Sequence, residues 1–395
     1  MPTLLQINTV INSGSTGHIA EELGNLVMQS GWKSYIAYGR NPRPSSSESI
    51  RIGSKWSVYS HVLITRLFDR HGFGSYFATK KLIKQIKKIK PDIIHLHNIH
   101  GYYLNIKVFF EYLKTLYIPI VWTLHDCWAF TGHCSHYTAG CCRKWQAECF
   151  ECPQKKQYPK SFFDNSRKNY NDKKRLFSGI KNLTLITPSE WLAEEVGKSF
   201  LGSYAVKVIH NGIDLNVFKP SLSLKKEEPV ILGVASTWTD RKGFYDFIKL
   251  SKLLKTGEQI VLIGVNEKQK AMLPQNIVGI SRTENQQQLA EWYRRVVCFL
   301  NLTYEDNFPT TNIESLACGT PVITYRAGGS PEIIDENTGF VTEAGDIAAV
   351  RECITKIENA GKELYLALCR SRAVDFFDKE CNFKKYIKLY NDLTL

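Results

Sequence analysis

Short apolar runs alternate with amphipathic stretches along most of the 395-residue chain. Apolar runs bounded by turn residues suit strands buried on both faces. Apolar positions three and four apart between them suit helices, so the pattern predicts parallel βα units. The first series places strands at residues 4–10, 33–38, 93–96, 120–124, 183–187 and 206–210. Helices are predicted at 18–30, 76–90, 105–116 and 166–177, with Pro188 and Ser189 starting another. Residues 40–57 read as polar and loop-rich. Asn211-Gly212-Ile213-Asp214 and the stretch around Phe218-Lys219-Pro220 are turn chemistry. A second series follows, with strands at 229–234, 260–264, 277–278, 298–302 and 322–325 and a last helix at 383–393. The expectation is an α/β chain of two Rossmann-like domains, 1–211 and 212–376, followed by a helical segment 377–395.

Composition supports a soluble globular protein, with 43% hydrophobic and 23% charged residues. The first ten residues lack a basic segment followed by a long apolar core, and no apolar run approaches about 18 residues. A cytoplasmic protein without a membrane span is therefore expected. Charge changes the picture more. Residues 1–200 carry 27 Lys and Arg against 14 Asp and Glu, residues 201–395 carry 24 of each, and the net charge of +13 belongs to the first half. That asymmetry implies an anionic partner for the first half alone. No nucleic-acid motif is present, which leaves an anionic membrane surface or a pyrophosphate-linked lipid as the partner. Lys80, Lys81, Lys84, Lys87, Lys88 and Lys90 interleave with Leu82, Ile83, Ile86 and Ile89. Such a helix packs its apolar side on a sheet and can turn its lysines toward anionic headgroups.

Six of the eleven cysteines, Cys127, Cys134, Cys141, Cys142, Cys149 and Cys152, fall within residues 127–152. Cys149 and Cys152 make a C-x2-C half-site, which Cys134 and Cys142 could complete as a tetrahedral structural zinc site. Reduced thiols and disulfides are the alternatives.

The densest chemistry lies in Glu305-Asp306-Asn307-Phe308-Pro309-Thr310-Thr311-Asn312-Ile313-Glu314 and the residues up to Pro321. A strand leads into a loop carrying Asp306, then into a helix carrying Glu314. Two acids thus stand at the carboxyl edge of a sheet, beside a helix N-terminus. Carboxylates accept hydrogen bonds from hydroxyls and helix N-termini favour anions, so a ligand with both sugar hydroxyls and phosphates suits this edge. Arg241 and Lys242 follow an earlier strand and offer a fork and a point charge to a diphosphate, or form a solvated loop pair. Gly14 to Gly17 follow the first strand and suit a backbone contact to phosphate or hydroxyl, or a plain tight turn. Asn12 stands where the first glycine of G-x-G-x-x-G would. His125 and Asp126 end a buried strand, the usual place for a functional side chain. His95 and His97 share one face of the preceding strand, as a packed, hydrogen-bonded pair or as metal ligands.

The run from 305 to 321, continued by Val322-Ile323 and Ala327-Gly328-Gly329-Ser330-Pro331-Glu332, resembles the E-x7-E signature of retaining nucleotide-sugar glycosyltransferases of family 4. These have the GT-B fold, two Rossmann-like domains facing across a cleft. The segment Asn211 to Pro220 resembles their domain connection, and in such enzymes the last helix often returns to the first domain. Two positions depart from the family pattern. The first acid is Asp306 rather than Glu, and Thr237 stands where an Arg shares the diphosphate with Lys242, with Arg241 as the candidate replacement.

The resemblance implies roles. Glu314 accepts the ribose hydroxyls. Asp306, Arg241 and Lys242 surround the donor sugar and diphosphate, and His125 touches the donor sugar. The backbone of Asn307, Phe308, Pro309, Thr310 and Thr311 holds sugar or phosphate oxygens, and Ile280 and Ser281 flank the base. Gly17 lies over the donor phosphate, while Gly14, His97 and Asn98 line the acceptor side. The implied reaction moves a sugar from a nucleotide diphosphate to a hydroxyl of a saccharide or lipid-linked saccharide. It proceeds with retention on the front face and needs no catalytic metal. Similar cysteine-rich inserts occur in some family-4 enzymes of bacterial surface polysaccharide synthesis, which would work on the inner face of the cell membrane. The rival readings are a nucleotide-sugar 2-epimerase of the same fold, a nucleotide-binding protein without chemistry, and an NAD dehydrogenase, the last weakened by the incomplete glycine fingerprint.

Overall fold

The computed structural model of the chain describes residues 1–221 and 230–394. It divides into two compact units, Met1–Ile209 with the chain from Phe383 onward, and His210–Asn382. The domain expectation had put this division at 211/212.

The first unit runs β1 (Thr3–Val10), α1 (Gly14–Gln29), β2 (Lys33–Arg40), β3 (Glu48–Arg51), α2 (Lys55–Phe68), α3 (Tyr76–Ile89), β4 (Ile93–Leu96), α4 (Ile106–Leu113), β5 (Ile120–Thr123), α5 (Ser166–Phe177), β6 (Leu183–Thr187), α6 (Glu190–Gly197) and β7 (Val206–Val208). Its seven strands lie in the order β3-β2-β1-β4-β5-β6-β7, all parallel. Central strands such as β4 are buried at every position, which is why they read as unbroken apolar runs.

The pattern missed β3, in the stretch read as loop, and α2, most of which lies beyond residue 57 where no element was assigned. Only Ile50 is buried in β3, and α2 buries only His61 and Thr65, so neither shows an inward apolar stripe. On α3 the expectation holds locally: Leu82 and Ile86 are buried and the lysines are exposed. The cysteine-rich insert is packed into this unit through Trp128, Phe130, Tyr137 and Trp145. Buried Lys173 ties it down, donating from Nζ to the carbonyls of Trp128 (2.7 Å) and Thr131 (3.0 Å).

The second unit runs β8 (Val230–Val234), α7 (Phe244–Leu250), β9 (Gln259–Ile263), α8 (Glu267–Lys270), β10 (Ile277–Ile280), α9 (Gln286–Arg295), β11 (Cys298–Asn301), α10 (Thr310–Ala317), β12 (Val322–Tyr325), β13 (Gly339–Thr342), α11 (Ile347–Ala360) and α12 (Lys362–Phe377). Its six parallel strands lie in the order β10-β9-β8-β11-β12-β13. The expected start of β8 at Pro229 lies outside the described residues. The last helix, α13 (Lys379–Thr394), sends Phe383, Tyr386, Leu389 and Tyr390 into the first unit, against Leu4, Val27, Ile93 and Val121.

Each sheet has one reversal of strand order, between β1 and β4 in the first unit and between β8 and β11 in the second. The carboxyl ends of the strands at such a reversal form the ligand crevice of doubly wound sheets.

Candidate active site

In the second unit the two loops leaving the reversal, after β8 and after β11, are tied to each other. Tyr304 N–H donates to the Arg241 carbonyl at 2.8 Å, and the Arg241 guanidinium donates to the Glu305 carbonyl at 2.7 Å. Lys242 Nζ meets Asp306 Oδ2 at 2.5 Å, both side chains about a quarter exposed. Gly243 sits at φ +75°, and a Cβ there would stand 2.2 Å from the Leu302 carbonyl, so only glycine lets the loops approach this closely. The structure thus brings Arg241, Lys242 and Asp306 together, while the Asn307 carbonyl accepts from Gly329 N–H at 3.1 Å. Arg241 is spent on the loop backbone, so its expected role as a replacement phosphate ligand is not the contact it makes here.

Helix α10 begins at this edge. Its first N–H groups, on Thr310 and Thr311, have no carbonyl of their own helix to reach. One expected backbone contact needs correcting: Pro309, the residue before α10, carries no N–H to donate. Phe308 is buried and its ring stacks on His210 at 4.9 Å, which anchors the loop. One turn into α10, Glu314 Oε2 accepts from the Tyr293 hydroxyl at 3.0 Å. Burial pushes its carboxyl up to about 7, against the hydrogen bonds from Tyr293 and Thr310. Ile280 and Ser281 lie two strands away at the sheet margin. The Ile280 carbonyl accepts from Gly264 N–H at 2.8 Å, and exposed Ser281 donates to Glu267 at 3.2 Å. No contact joins them to Lys242 or Glu314 among the described residues.

In the first unit, Gly14 and Gly17 lie within α1 rather than in a loop before it. Gly14, at φ +61°, turns the chain into the helix, and a Cβ on Gly17 would press on Val10 at 3.1 Å. The Gly17 side of α1 thus passes close over the end of β1. Asn98, just past β4, is held by its backbone: Thr9 and Tyr103 hydroxyls donate to its carbonyl, each at 2.8 Å.

His95, His97 and His125 form a stack, with ring centroids 4.1 Å apart for the first pair and 5.5 Å for the second. His95 bonds the Tyr390 hydroxyl (2.6 Å) and the Thr123 hydroxyl (2.8 Å). His97 bonds His125 Nε2 (3.2 Å) and Gln6 Oε1 (3.0 Å). All four ring nitrogens of the 95/97 pair are engaged in hydrogen bonds, as in the packed, hydrogen-bonded alternative. Burial pushes His95 down to about 3 and His125 to about 4, and drives His97 well below the ordinary imidazole range. The stack is therefore neutral at physiological pH. Beside it, burial would raise the Asp126 carboxyl, but His100 at 2.8 Å and the Trp128 N–H bring it down to about 2. Gln6, Tyr293 and Tyr390 were not among the expected site residues. Gln6 shows in the sequence only as a polar residue inside an apolar run, while Tyr293 and Tyr390 sit in helical stretches rich in charged residues and give no such signal.

All eleven cysteines are free thiols. Cys134, Cys142, Cys149 and Cys152 line one cavity with His133, and Cys134 shares a hydrogen bond with Cys152. As the side chains stand, no group of three or more His, Cys, Asp or Glu among the described residues is gathered so that it could hold an ion.

Two doubly wound parallel sheets, each with charged or hydrogen-bonding loops at its reversal, define the class: a glycosyltransferase with the GT-B fold. The chain belongs to glycosyltransferase family 4, whose family description, Glycosyltransferase Family 4, matches residues 16–217, while Glycosyl transferases group 1 matches residues 228–359. WcaC of Escherichia coli strain K12, assigned as a glycosyl transferase to colanic acid biosynthesis, is 24% identical over 411 positions, covering 99% of this chain and 100% of WcaC. Among solved structures, sucrose-phosphate synthase of Thermosynechococcus elongatus superposes with a TM-score of 0.74 at 17% identity, over 100% of this chain and 99% of its own. Anabaena HepE in complex with UDP superposes with a TM-score of 0.69 at 15% identity, over 99% of this chain and 100% of its own.

Proposed function

We propose that the enzyme moves a sugar from a nucleoside diphosphate to a hydroxyl of a lipid-linked saccharide, with retention, during assembly of a bacterial surface polysaccharide. The observation that best supports this reading is the 2.5 Å pair of Lys242 and Asp306 at the sheet reversal, beside the first turn of α10. A diphosphate arriving there takes Lys242 and the Thr310 and Thr311 amides, which stabilise the charge that develops on the leaving group. Asp306, released from Lys242, accepts a hydroxyl of the donor sugar. Glu314 accepts the ribose hydroxyls. In the first unit, His125 takes a hydroxyl of a sugar substrate. HepE has been solved with UDP and with UDP-glucose, and WcaC is assigned to colanic acid, so uridine diphosphate sugars and polysaccharide precursors are the first substrates to try.

The test incubates the enzyme with a panel of nucleotide sugars, with and without polyprenyl-linked saccharides. Acceptor-dependent release of nucleoside diphosphate and a glycosylated product support the reading. Donor conversion without acceptor makes the protein an epimerase, and binding without turnover makes it a nucleotide-binding protein.

A membrane-facing acceptor fits a feature of the first unit. Trp56, Tyr59 and Leu63 project from α2 with 81%, 65% and 57% exposure. Two more exposed rings accompany this aromatic ridge: Phe77 in the first turn of α3, and Phe162, whose N–H donates to the Arg66 carbonyl of α2. Exposed aromatic residues beside the lysines of α3 suit the interface of an anionic bilayer. Among the described residues no helix is long and apolar enough to cross a membrane.

A further inference from the structure

The histidine stack contains one partner whose hydrogen-bonding role is not ambiguous. Gln6 is fully buried in β1, and its Nε2 lies 2.7 Å from the Ala20 carbonyl. A carbonyl can only accept, so the amide nitrogen must face Ala20 and the amide oxygen must face the other way. That oxygen lies 3.0 Å from His97 Nε2 and can only accept in turn. His97 Nε2 therefore carries the proton. His97 is 1% exposed and neutral, so its Nδ1 is a bare lone pair. His125 Nε2 stands 3.2 Å from that lone pair and must donate to it. The proton of neutral His125 is then on Nε2, and its Nδ1 is left as an acceptor.

The other partners of the stack impose no such direction. Tyr390 and Thr123 meet His95 through hydroxyls, which donate or accept as needed. His125 makes no second hydrogen bond among the described residues, and it is half-buried rather than sealed. It lines a cavity with His97, Asn98 and Asp126.

We infer that Gln6 is a positioning residue: acting through His97, it holds His125 as the Nε2–H tautomer, so that His125 Nδ1 meets the substrate as an acceptor for a sugar hydroxyl. The hydroxyl half of this inference rests on the proposed sugar contact of His125; the tautomer half does not. A ligand group that can donate, such as a sugar hydroxyl, is favoured at Nδ1, and a bare oxygen of a carboxylate or phosphate is disfavoured there.

The groups facing the relay are His95, Gln6 and His125 around His97, and His97, His100 and Asp126 around His125. Gln6→Glu keeps the side-chain length but places an anion against His97 Nε2. The anion draws a second proton onto His97 Nδ1 as pH falls. That nitrogen then donates to His125 Nε2 and forces the His125 proton to Nδ1.

Long-range 1H–15N spectra of histidine-labelled enzyme, with the His125 signals assigned from a His125→Ala sample, read the tautomer without any substrate. The expected wild-type result is a protonated Nε2 and a bare Nδ1 on His125. In Gln6→Glu the pattern inverts at low pH and returns as pH rises. Over the same range kcat/KM of the variant falls about tenfold, the size of one lost substrate hydrogen bond, and recovers. A wild-type His125 protonated on Nδ1, or averaging between tautomers, overturns the relay, and it does so whether or not the variant folds. An inverted tautomer with unchanged kcat/KM leaves the relay standing and overturns the hydroxyl contact.

Discussion

Glu314 couples the chemistry of the second unit to pH. Its carboxyl sits at about 7 because burial penalises the charge, while ribose hydroxyls need the ionised form as their acceptor. Nucleotide affinity should therefore rise as pH rises through about 7 and fall by up to about tenfold per unit below it. Glu314→Gln should bind more weakly and lose most of that dependence; calorimetric titration across this range checks both. For folding the sign is opposite. A carboxyl raised above its ordinary 4.5 holds a proton that the unfolded chain releases, so its contribution to stability is lost as pH climbs from 4.5 to about 7. Asp306 and Lys242, in loops that follow strands, and Glu314, in the helix after one of those loops, were legible because their positions follow from the apolar runs before them. Gln6 and Tyr293 were not. Gln6 acts on a residue 91 positions away, and Tyr293 on one 21 positions away, and no local pattern announces either pairing.

At the scale of elements, inward-facing apolar stripes carried the prediction, and elements without them escaped it. The strands β4, β6 and β12 and the helix α5 fall where the pattern put them. Helix α2 leaves Trp56, Tyr59, Leu63, Leu67 and Phe68 exposed and hides a histidine and a threonine inside, so no helix was predicted there. The outward face makes a prediction of its own. Trp56→Ser with Leu63→Ser should reduce cosedimentation with vesicles containing anionic lipid severalfold without lowering the melting temperature, since both side chains are exposed. Unchanged vesicle binding, or loss of self-association in place of lipid binding, contradicts a bilayer as the partner. The cysteine insert makes another. We carry structural zinc forward as a proposal because four thiols line one cavity. Metal analysis of the purified enzyme should find about one zinc per chain, with a lower melting temperature after chelation. Absence of zinc with full thermal stability leaves the thiols simply reduced.

Over the whole molecule, two similar doubly wound units carry unlike chemistry. The first holds neutral histidines, the aromatic ridge and residues 1–200 with their net charge of +13, and the second holds the acid and lysine loops. The boundary near residue 210 was legible from Asn-Gly turn chemistry, while the insert was legible only as a cysteine count. Its packing depends on Lys173, a buried cation inside a stretch that reads as an ordinary basic helix. The central claim is that a nucleoside diphosphate binds at the strand reversal of the second unit. Titration of UDP and GDP into wild type, Lys242→Ala and His125→Ala, followed by melting temperature, tests it most directly. A base that fits should stabilise wild type by about 2.7 kcal/mol at a hundredfold excess over its dissociation constant. Lys242→Ala should lose most of that gain and reduce turnover about 10²–10³-fold, while His125→Ala should keep the gain and lose turnover. A shift that survives Lys242→Ala in full, or that disappears with His125→Ala alone, contradicts the account.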